Sequence, residues 1–356
     1  MKKMIYVVDK KKSALHTAAS ARVTITGGKI LIANEFRSPI ELLESIYKEN
    51  NGIILFCWRK AFADIISLKT CVNLYEKMNN NFTFSFLVPD HMGLELNFKK
   101  IESKMISACD YYVVTSKILF DEYCKSYPEQ TPIAILHDLP NIQLIEKIRN
   151  EFPKKIDTKI KVIWVGNSKW GHRQGFKDHK GFEEFIKPLQ SYISKHADNC
   201  TIEIIDSNFK YLDETETLKH IRDSDILIQV SKNEGTGLVI LEALGLETNV
   251  ITTKVGIVGE LFEEDEIQVL SNIEISDIYG KIYLIINSNS TKLMRSRYEK
   301  YIKQAKQEKL LFFNKPNKFI SSSSIKQKFF IYFYWQYRYF SKISQENGFF
   351  TFQPRP

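Results

Sequence analysis

Residues 226–262, ILIQVSKNEGTGLVILEALGLETNVITTKVGIVGELF, constrain the fold more than any other stretch. The run 226–230 is apolar without alternation, as in a strand whose two faces are both covered by helices. A polar loop follows, Ser231-Lys232-Asn233-Glu234-Gly235-Thr236-Gly237, then an apolar helical run that begins Leu238-Val239-Ile240-Leu241. A second buried strand, 249–253, leads into a glycine-punctuated turn and another helix. Two glycines flank Thr236, which suits an N-cap. A helix beginning in such a loop points unpaired N–H groups and its positive dipole end beyond the sheet edge, a ready anion site.

Two carboxylates bracket that site, Glu234 in the loop and Glu242 in the helix. Two helical turns cover about seven residues, so Glu242 can share the face that looks back toward the loop. Backbone donors holding a diphosphate, with carboxylates placed for the hydroxyls of a sugar and a ribose, describe a nucleotide-sugar pocket.

Glu234 and Glu242, the intervening GTGL and the following TTKVGIVGEL resemble the donor half of retaining GT-B glycosyltransferases of the family 4 type, over roughly residues 160–262. The resemblance implies two Rossmann-like, doubly wound α/β domains facing an interdomain cleft. It also implies that Glu234 contacts the donor sugar and Glu242 the ribose. The family pattern upstream is a strand, Gly-Arg, a variable loop, then Lys-Gly at a helix start. Gly166 and the pair Lys180-Gly181 fit it, but Asn167 stands where the family has arginine. Either Arg173 supplies the guanidinium from further along the loop, or the diphosphate relies on Lys180 and backbone donors. A fixed cation there would stabilise the departing nucleoside diphosphate.

The length of 356 residues suits two domains. A hydrophobic content of 44% with 26% charged residues is that of a folded soluble protein. No apolar run approaches the ~20 residues of a membrane span, and the basic N-terminus reads as a first strand rather than a signal peptide. Cys57, Cys71, Cys109, Cys124 and Cys200 are scattered and lack C-x-x-C pairing. That pattern favours reduced thiols in the cytoplasm over disulfides or zinc. The net charge of +8 suits anionic lipid, nucleic acid or phosphorylated ligands without choosing among them.

Strand and helix alternate through the N-terminal half, which reads as a doubly wound domain. Strands are expected at 4–8, 52–58, 82–88, 111–115 and 133–137, with a hairpin or two short strands at 23–25 and 29–33 around Gly27-Gly28. Helices are expected from Pro39 through Tyr47 and over 62–77, 98–108 and 119–126. Pro89-Asp90-His91-Met92 follows a buried strand at its carboxyl end, where ligands of such sheets gather. His91 matches the family histidine that faces the donor sugar. His137 reads as structural, and Trp58-Arg59-Lys60 as either an acceptor-phosphate contact or solvated charge. The family's glycine-rich loop after the first strand is replaced here by Asp9-Lys10-Lys11-Lys12-Ser13, so acceptor binding does not follow from the resemblance.

The domain reading is an N-terminal acceptor domain over 1–150, a nucleotide-sugar domain over 158–310, and a basic aromatic tail over 311–356. The tail either returns to the N-terminal domain through 325–345 or touches a membrane with its aromatics and cations. Asp223-Ser224-Asp225 is formally a D-x-D. It precedes its strand, however, and so lies opposite the ligand edge, and no metal or cofactor is expected beyond the sugar nucleotide itself. A dinucleotide oxidoreductase would need G-x-G-x-x-G after a strand, and neither Val8 nor Val165 is followed by one.

The expected function is transfer of a sugar from a nucleotide-diphosphate sugar, a UDP-sugar for preference, to a bacterial surface-glycan or lipid-linked acceptor. Glu234, His91 and Lys180 are the candidate catalytic residues. Gly166, Asn167, Arg173, Lys180, Gly235, Thr236, Gly237, Leu238 and Glu242 are the candidate nucleotide-sugar contacts. The expected location is the cytoplasm, at the inner face of the membrane where the acceptor is lipid-linked, with no nucleic-acid partner. The alternative is a non-catalytic sugar- or nucleotide-binding partner of another transferase.

Overall fold

Side chains that alternate along buried strands build a core on each face of a five-stranded parallel sheet at the start of the chain. The computed structural model describes residues 3–154, 157–270, 273–288 and 291–314. It divides into two units, Met1–Asp138 with Lys306–Pro356, and Leu139–Ala305.

The first unit runs β1 (Met4–Val8), α1 (Ala14–Thr26), β2 (Lys29–Ile32), α2 (Pro39–Tyr47), β3 (Gly52–Phe56), α3 (Arg59–Ser67), α4 (Lys69–Met78), β4 (Phe82–Val88), α5 (Leu96–Ala108), β5 (Tyr111–Val114) and α6 (Lys117–Ser126). Ile5 and Val7 join one core with Phe56, Phe84 and Phe86, while Met4, Tyr6 and Val8 join another with Leu55, Leu87 and Val113. That is the two-residue period of a strand covered on both sides.

Three expectations fail here, each for a local reason. There is no hairpin at Gly27-Gly28: residues 23–25 are the end of α1, and β2 pairs with β1 in parallel. Ser13 caps α1 by accepting from His16 N at 3.1 Å, and Gly27 ends it at φ 69°. The β-branched residues 23–26 follow the helix already nucleated upstream. The helix expected over 62–77 is two helices, because Leu68 is extended and separates α3 from α4. Residues 133–137 form only an isolated bridge, Val114 to Ile135. Pro132 and Pro140 flank that segment, and a proline has no N–H to lend to a ladder.

The second unit runs α7 (Ile142–Glu151), β6 (Ile160–Gly166), α8 (Lys187–His196), β7 (Cys200–Asp206), α9 (Glu214–Asp223), β8 (Ile226–Gln229), α10 (Leu238–Gly245), β9 (Asn249–Thr253), α11 (Val258–Leu261), β10 (Val269–Leu270), α12 (Ile275–Asn287) and α13 (Thr291–Asn314). The chain rejoins the first unit at Lys306, within α13. There His137 Nδ1 and Glu308 Oε2 share a 2.6 Å hydrogen bond, so His137 is structural. The tail segments 325–345 and 329–340 lie outside the described residues. Among the described residues, no helix is long and apolar enough to cross a membrane.

Both sheets are wholly parallel and share one topology. The first has the order β2-β1-β3-β4-β5 and the second β10-β9-β8-β6-β7. Counted from each unit's own first strand, both read 2-1-3-4-5. In such sheets the order reverses beside the first strand, and ligands bind at the carboxyl ends that flank the reversal. For the second unit those ends belong to β6 and β8. The loops they carry are 167–181 and 230–237.

Candidate active site

The loop after β6 is held by its own polar groups. Asn167 Oδ1 accepts from Lys169 N at 3.0 Å, and the Asn167 carbonyl accepts from Trp170 N at 3.0 Å. Asn167 therefore shapes the turn. Arg173 sits in a short 3-10 turn, His172–Gln174, between Gly171 and Gly175 with φ of 74° and 86°. Its side chain is exposed and makes no hydrogen bond among the described residues.

Further along, the ring centroids of Trp170 and His179 lie 4.3 Å apart with the planes tilted by 35°, and Lys180 Nζ lies 5.6 Å from the Trp170 ring centroid. Lys232 N donates to the His179 carbonyl at 2.9 Å, joining this loop to the one after β8. Gly181, at φ 65°, passes so close to β8 that a Cβ would stand 2.5 Å from the Val230 carbonyl oxygen. Only glycine fits there, and that approach carries Lys180 onto Glu234.

Glu234 Oε1 accepts from Lys180 Nζ and, at 2.9 Å, from Gln229 Nε2. Both ends of the Lys180–Glu234 ion pair are largely withdrawn from water, at 19% and 13% side-chain exposure. Burial alone would push the Glu234 carboxyl up. The Lys180 charge and hydrogen bond, the Ser231 hydroxyl and His179 outweigh it and hold the group below the usual carboxylate range. Glu234 is thus a fixed carboxylate.

The helix start beside it is open. Gly237, at φ 83°, is the N-cap of α10 and offers no side-chain acceptor. Thr236 is not the cap; it is buried, and its carbonyl accepts from Ile257 N at 3.1 Å. The N–H groups of Gly235, Gly237, Leu238 and Val239 donate to no acceptor among the described residues. The neighbouring helix start is filled by contrast. Asp178 accepts from Phe182 N at 2.7 Å, Glu183 N at 3.1 Å and Glu184 N at 2.8 Å. One helix N-terminus is closed by its own carboxylate, and the other is left for an anion.

Glu242 is four residues past Leu238, so about one turn separates it from the helix start rather than two. It is half-buried, and its carboxyl has no hydrogen-bond partner among the described residues. Burial first, then the nearby Glu214 charge, pushes its carboxyl up to about 7. The glycines that follow β9 serve the loop itself. A Cβ on Gly256 would collide with the Thr236 backbone, whereas Gly259 has open space around it.

His91 belongs to the first unit. It begins a 3-10 turn, His91–Leu94, capped by Asp90, which accepts from Met92 N at 2.9 Å. His91 Nε2 lies 2.9 Å from Glu122 Oε2. Arg59 does not reach outward for a phosphate. It turns inward to Asp90 Oδ1 at 2.5 Å and Glu102 Oε2 at 2.8 Å, and Lys60 pairs with Asp64. Asp225 of the D-x-D accepts from Lys161 N at 2.9 Å, at the amino end of its strand.

The structure therefore joins Lys180 to Glu234 and sets both beside the open start of α10. Asn167 and Arg173 make no hydrogen bond to either. Gln229 was not anticipated; its only sequence signal is one amide ending an otherwise apolar strand.

Residues 142–308 match the family model described as glycosyl transferases group 1. This stretch, a little under half of the chain, is similar to the group 1 glycosyltransferases, and it contains Lys180, Glu234 and Glu242. A sequence comparison with curated proteins finds no match.

Solved structures share the GT-B fold of two parallel Rossmann-like sheets. The Anabaena protein HepE in complex with UDP-glucose is 12% identical with a TM-score of 0.57, covering 88% of this chain and 100% of that one. A glycosyltransferase from Rickettsia africae is 14% identical with a TM-score of 0.54, covering 98% and 99%. A UDP-forming α,α-trehalose-phosphate synthase from Burkholderia vietnamiensis is 8% identical with a TM-score of 0.60, covering 88% and 99%.

Proposed function

We propose that this chain transfers a sugar, with retention of anomeric configuration, from a nucleotide-diphosphate sugar to a glycan or lipid-linked acceptor of the cell surface. The observation that carries the reading is the uncapped start of α10 beside Lys180 and the ionised Glu234. The diphosphate lies on the N–H groups of Gly235, Gly237, Leu238 and Val239 and on Lys180. Glu242 takes the ribose hydroxyls, and Glu234 takes hydroxyls of the donor sugar on the face where positive charge develops at the anomeric carbon.

As the bond from anomeric carbon to phosphate oxygen breaks, negative charge grows on the leaving oxygen. Lys180 and the amide hydrogens stabilise it without reorganising. The acceptor hydroxyl oxygen bonds to the anomeric carbon on the face the phosphate leaves, its proton passes to the leaving phosphate oxygen, and no protein base is needed. No metal ion takes part. The acceptor and the chain meet at the inner face of the membrane.

A thermal-shift screen with UDP, GDP, CDP and dTDP and their sugars tests this. One base series should stabilise the chain, by about 2.7 kcal/mol at a hundredfold excess over Kd. Stabilisation by none would overturn the proposal. Binding without turnover would favour a non-catalytic partner of another transferase.

A further inference from the structure

Lys180 cannot fully serve Glu234 and a diphosphate at once. Without ligand it stands against Glu234, although the proposed function needs it on phosphate. Something must hold the carboxylate when the lysine leaves. Gln229, at the carboxyl end of β8 and 6% exposed, is built for that. An ionised carboxylate only accepts hydrogen bonds, so the amide must offer it Nε2, which it does at 2.9 Å. The Oε1 atom is then turned elsewhere, and it is buried with no hydrogen-bond partner. An unpaired buried acceptor costs about 1–3 kcal/mol, a cost that an apolar residue ending this apolar strand would avoid. The amide is there for its contact with Glu234.

We infer that Gln229 is a positioning residue for Glu234, and that Glu234 holds Lys180 only until a diphosphate takes it. The exchange is one of hydrogen bonds and charge, with no covalent step. Lys180 Nζ moves from carboxylate to phosphate, while Gln229 Nε2 and the Ser231 hydroxyl keep Glu234 oriented toward the donor sugar. The inference rests on the proposed diphosphate site.

Two consequences are measurable by calorimetric titration with UDP and with inorganic pyrophosphate, the latter being independent of the base. Glu234→Gln removes the competitor for Lys180, so both probes should bind roughly five- to tenfold tighter, within the usual span of a coupling between sites. This gain should vanish in a Lys180→Met background. Gln229→Met leaves Glu234 with only Lys180 and the Ser231 hydroxyl, so both probes should bind several-fold more weakly, but not when Glu234→Gln is also present. Melting curves confirm that each variant is folded.

Unchanged or weaker binding by Glu234→Gln would overturn the exchange. So would a gain that survives Lys180→Met, because simple charge repulsion would then explain it. Equal weakening by Gln229→Met in both backgrounds would reduce Gln229 to general loop support. If neither probe binds any variant, the exchange also fails. Transfer activity retained by Glu234→Gln would instead count against the role of Glu234 in the proposed function, whatever the titrations show.

Discussion

Gly256 passes so close to Thr236 that the turn after β9 and the loop after β8 are packed backbone to backbone. Ile257 N closes the contact with a 3.1 Å hydrogen bond to the Thr236 carbonyl. Gly256 also has a φ of 55°, which side-chain-bearing residues rarely adopt. Gly256→Ala should therefore cost about 1–3 kcal/mol of unfolding free energy and weaken nucleotide binding by displacing the start of α10. Urea unfolding with a parallel UDP titration checks both, and a variant as stable as the parent would contradict the packing argument.

Arg59 is the sole cation described against Glu102, whose side chain is fully buried. Tyr123 adds a hydroxyl at 2.7 Å. Removing the guanidinium leaves a buried carboxylate short of its counter-charge, which costs about 3–5 kcal/mol. Arg59→Met should be strongly destabilised, and Arg59→Met with Glu102→Leu should regain most of the loss. Chemical unfolding of the three proteins decides it.

Glu242 makes stability fall with rising pH. Its carboxyl is pushed up from 4.5 to about 7 in the folded chain. The protonated form is thus favoured by folding. Its contribution is complete below about pH 4.5 and is lost as pH rises through about 7, a change on the order of 2–3 kcal/mol. Glu242→Gln should flatten that interval of the stability profile and leave the variant more stable than the parent at pH 8. Unfolding midpoints at pH 5 and pH 8 test the sign.

Lys180→Ala should separate phosphate from nucleoside recognition. A charge-assisted hydrogen bond is worth about 1.5–3 kcal/mol, so UDP affinity should drop tenfold or more while uridine affinity stays the same. Equal losses for both, by calorimetry below the melting temperature, would remove the phosphate contact from Lys180.

Chelation supplies a fifth test. The proposed function has the leaving group held by amide hydrogens and one lysine, so turnover should persist in EDTA. Loss of activity, restored by Mg²⁺ or Mn²⁺, would place a metal in the reaction.

Much of the architecture was legible along the chain because buried parallel strands are written as uninterrupted apolar runs. Met4–Val8, Gly52–Phe56 and Tyr111–Val114 are examples. Residues 23–26 misled for the opposite reason: their β-branched side chains prefer strands locally, but the capped helix upstream and the burial of Ala18, Ala19 and Arg22 prevail. Residues 133–137 have strand-like composition, and Ile133 N and Leu136 N do donate to the Tyr112 and Val114 carbonyls of β5, but Pro132 and Pro140 bound the segment on either side.

By itself the sequence determined the α/β class and the loop-to-helix start at 235–238, since periodicity and spacing are properties of neighbours along the chain; the candidate roles of Lys180, Glu234 and Glu242 came from the family resemblance. Only the tertiary structure decided that Gly237 rather than Thr236 caps α10, that Asn167 and Arg59 are spent on internal contacts, and that Gln229 shares Glu234 with Lys180. Those outcomes depend on which groups meet after two loops, 54 residues apart at Lys180 and Glu234, are brought to one sheet edge. A hydrogen bond falls off within an ångström, so no one-dimensional pattern encodes it.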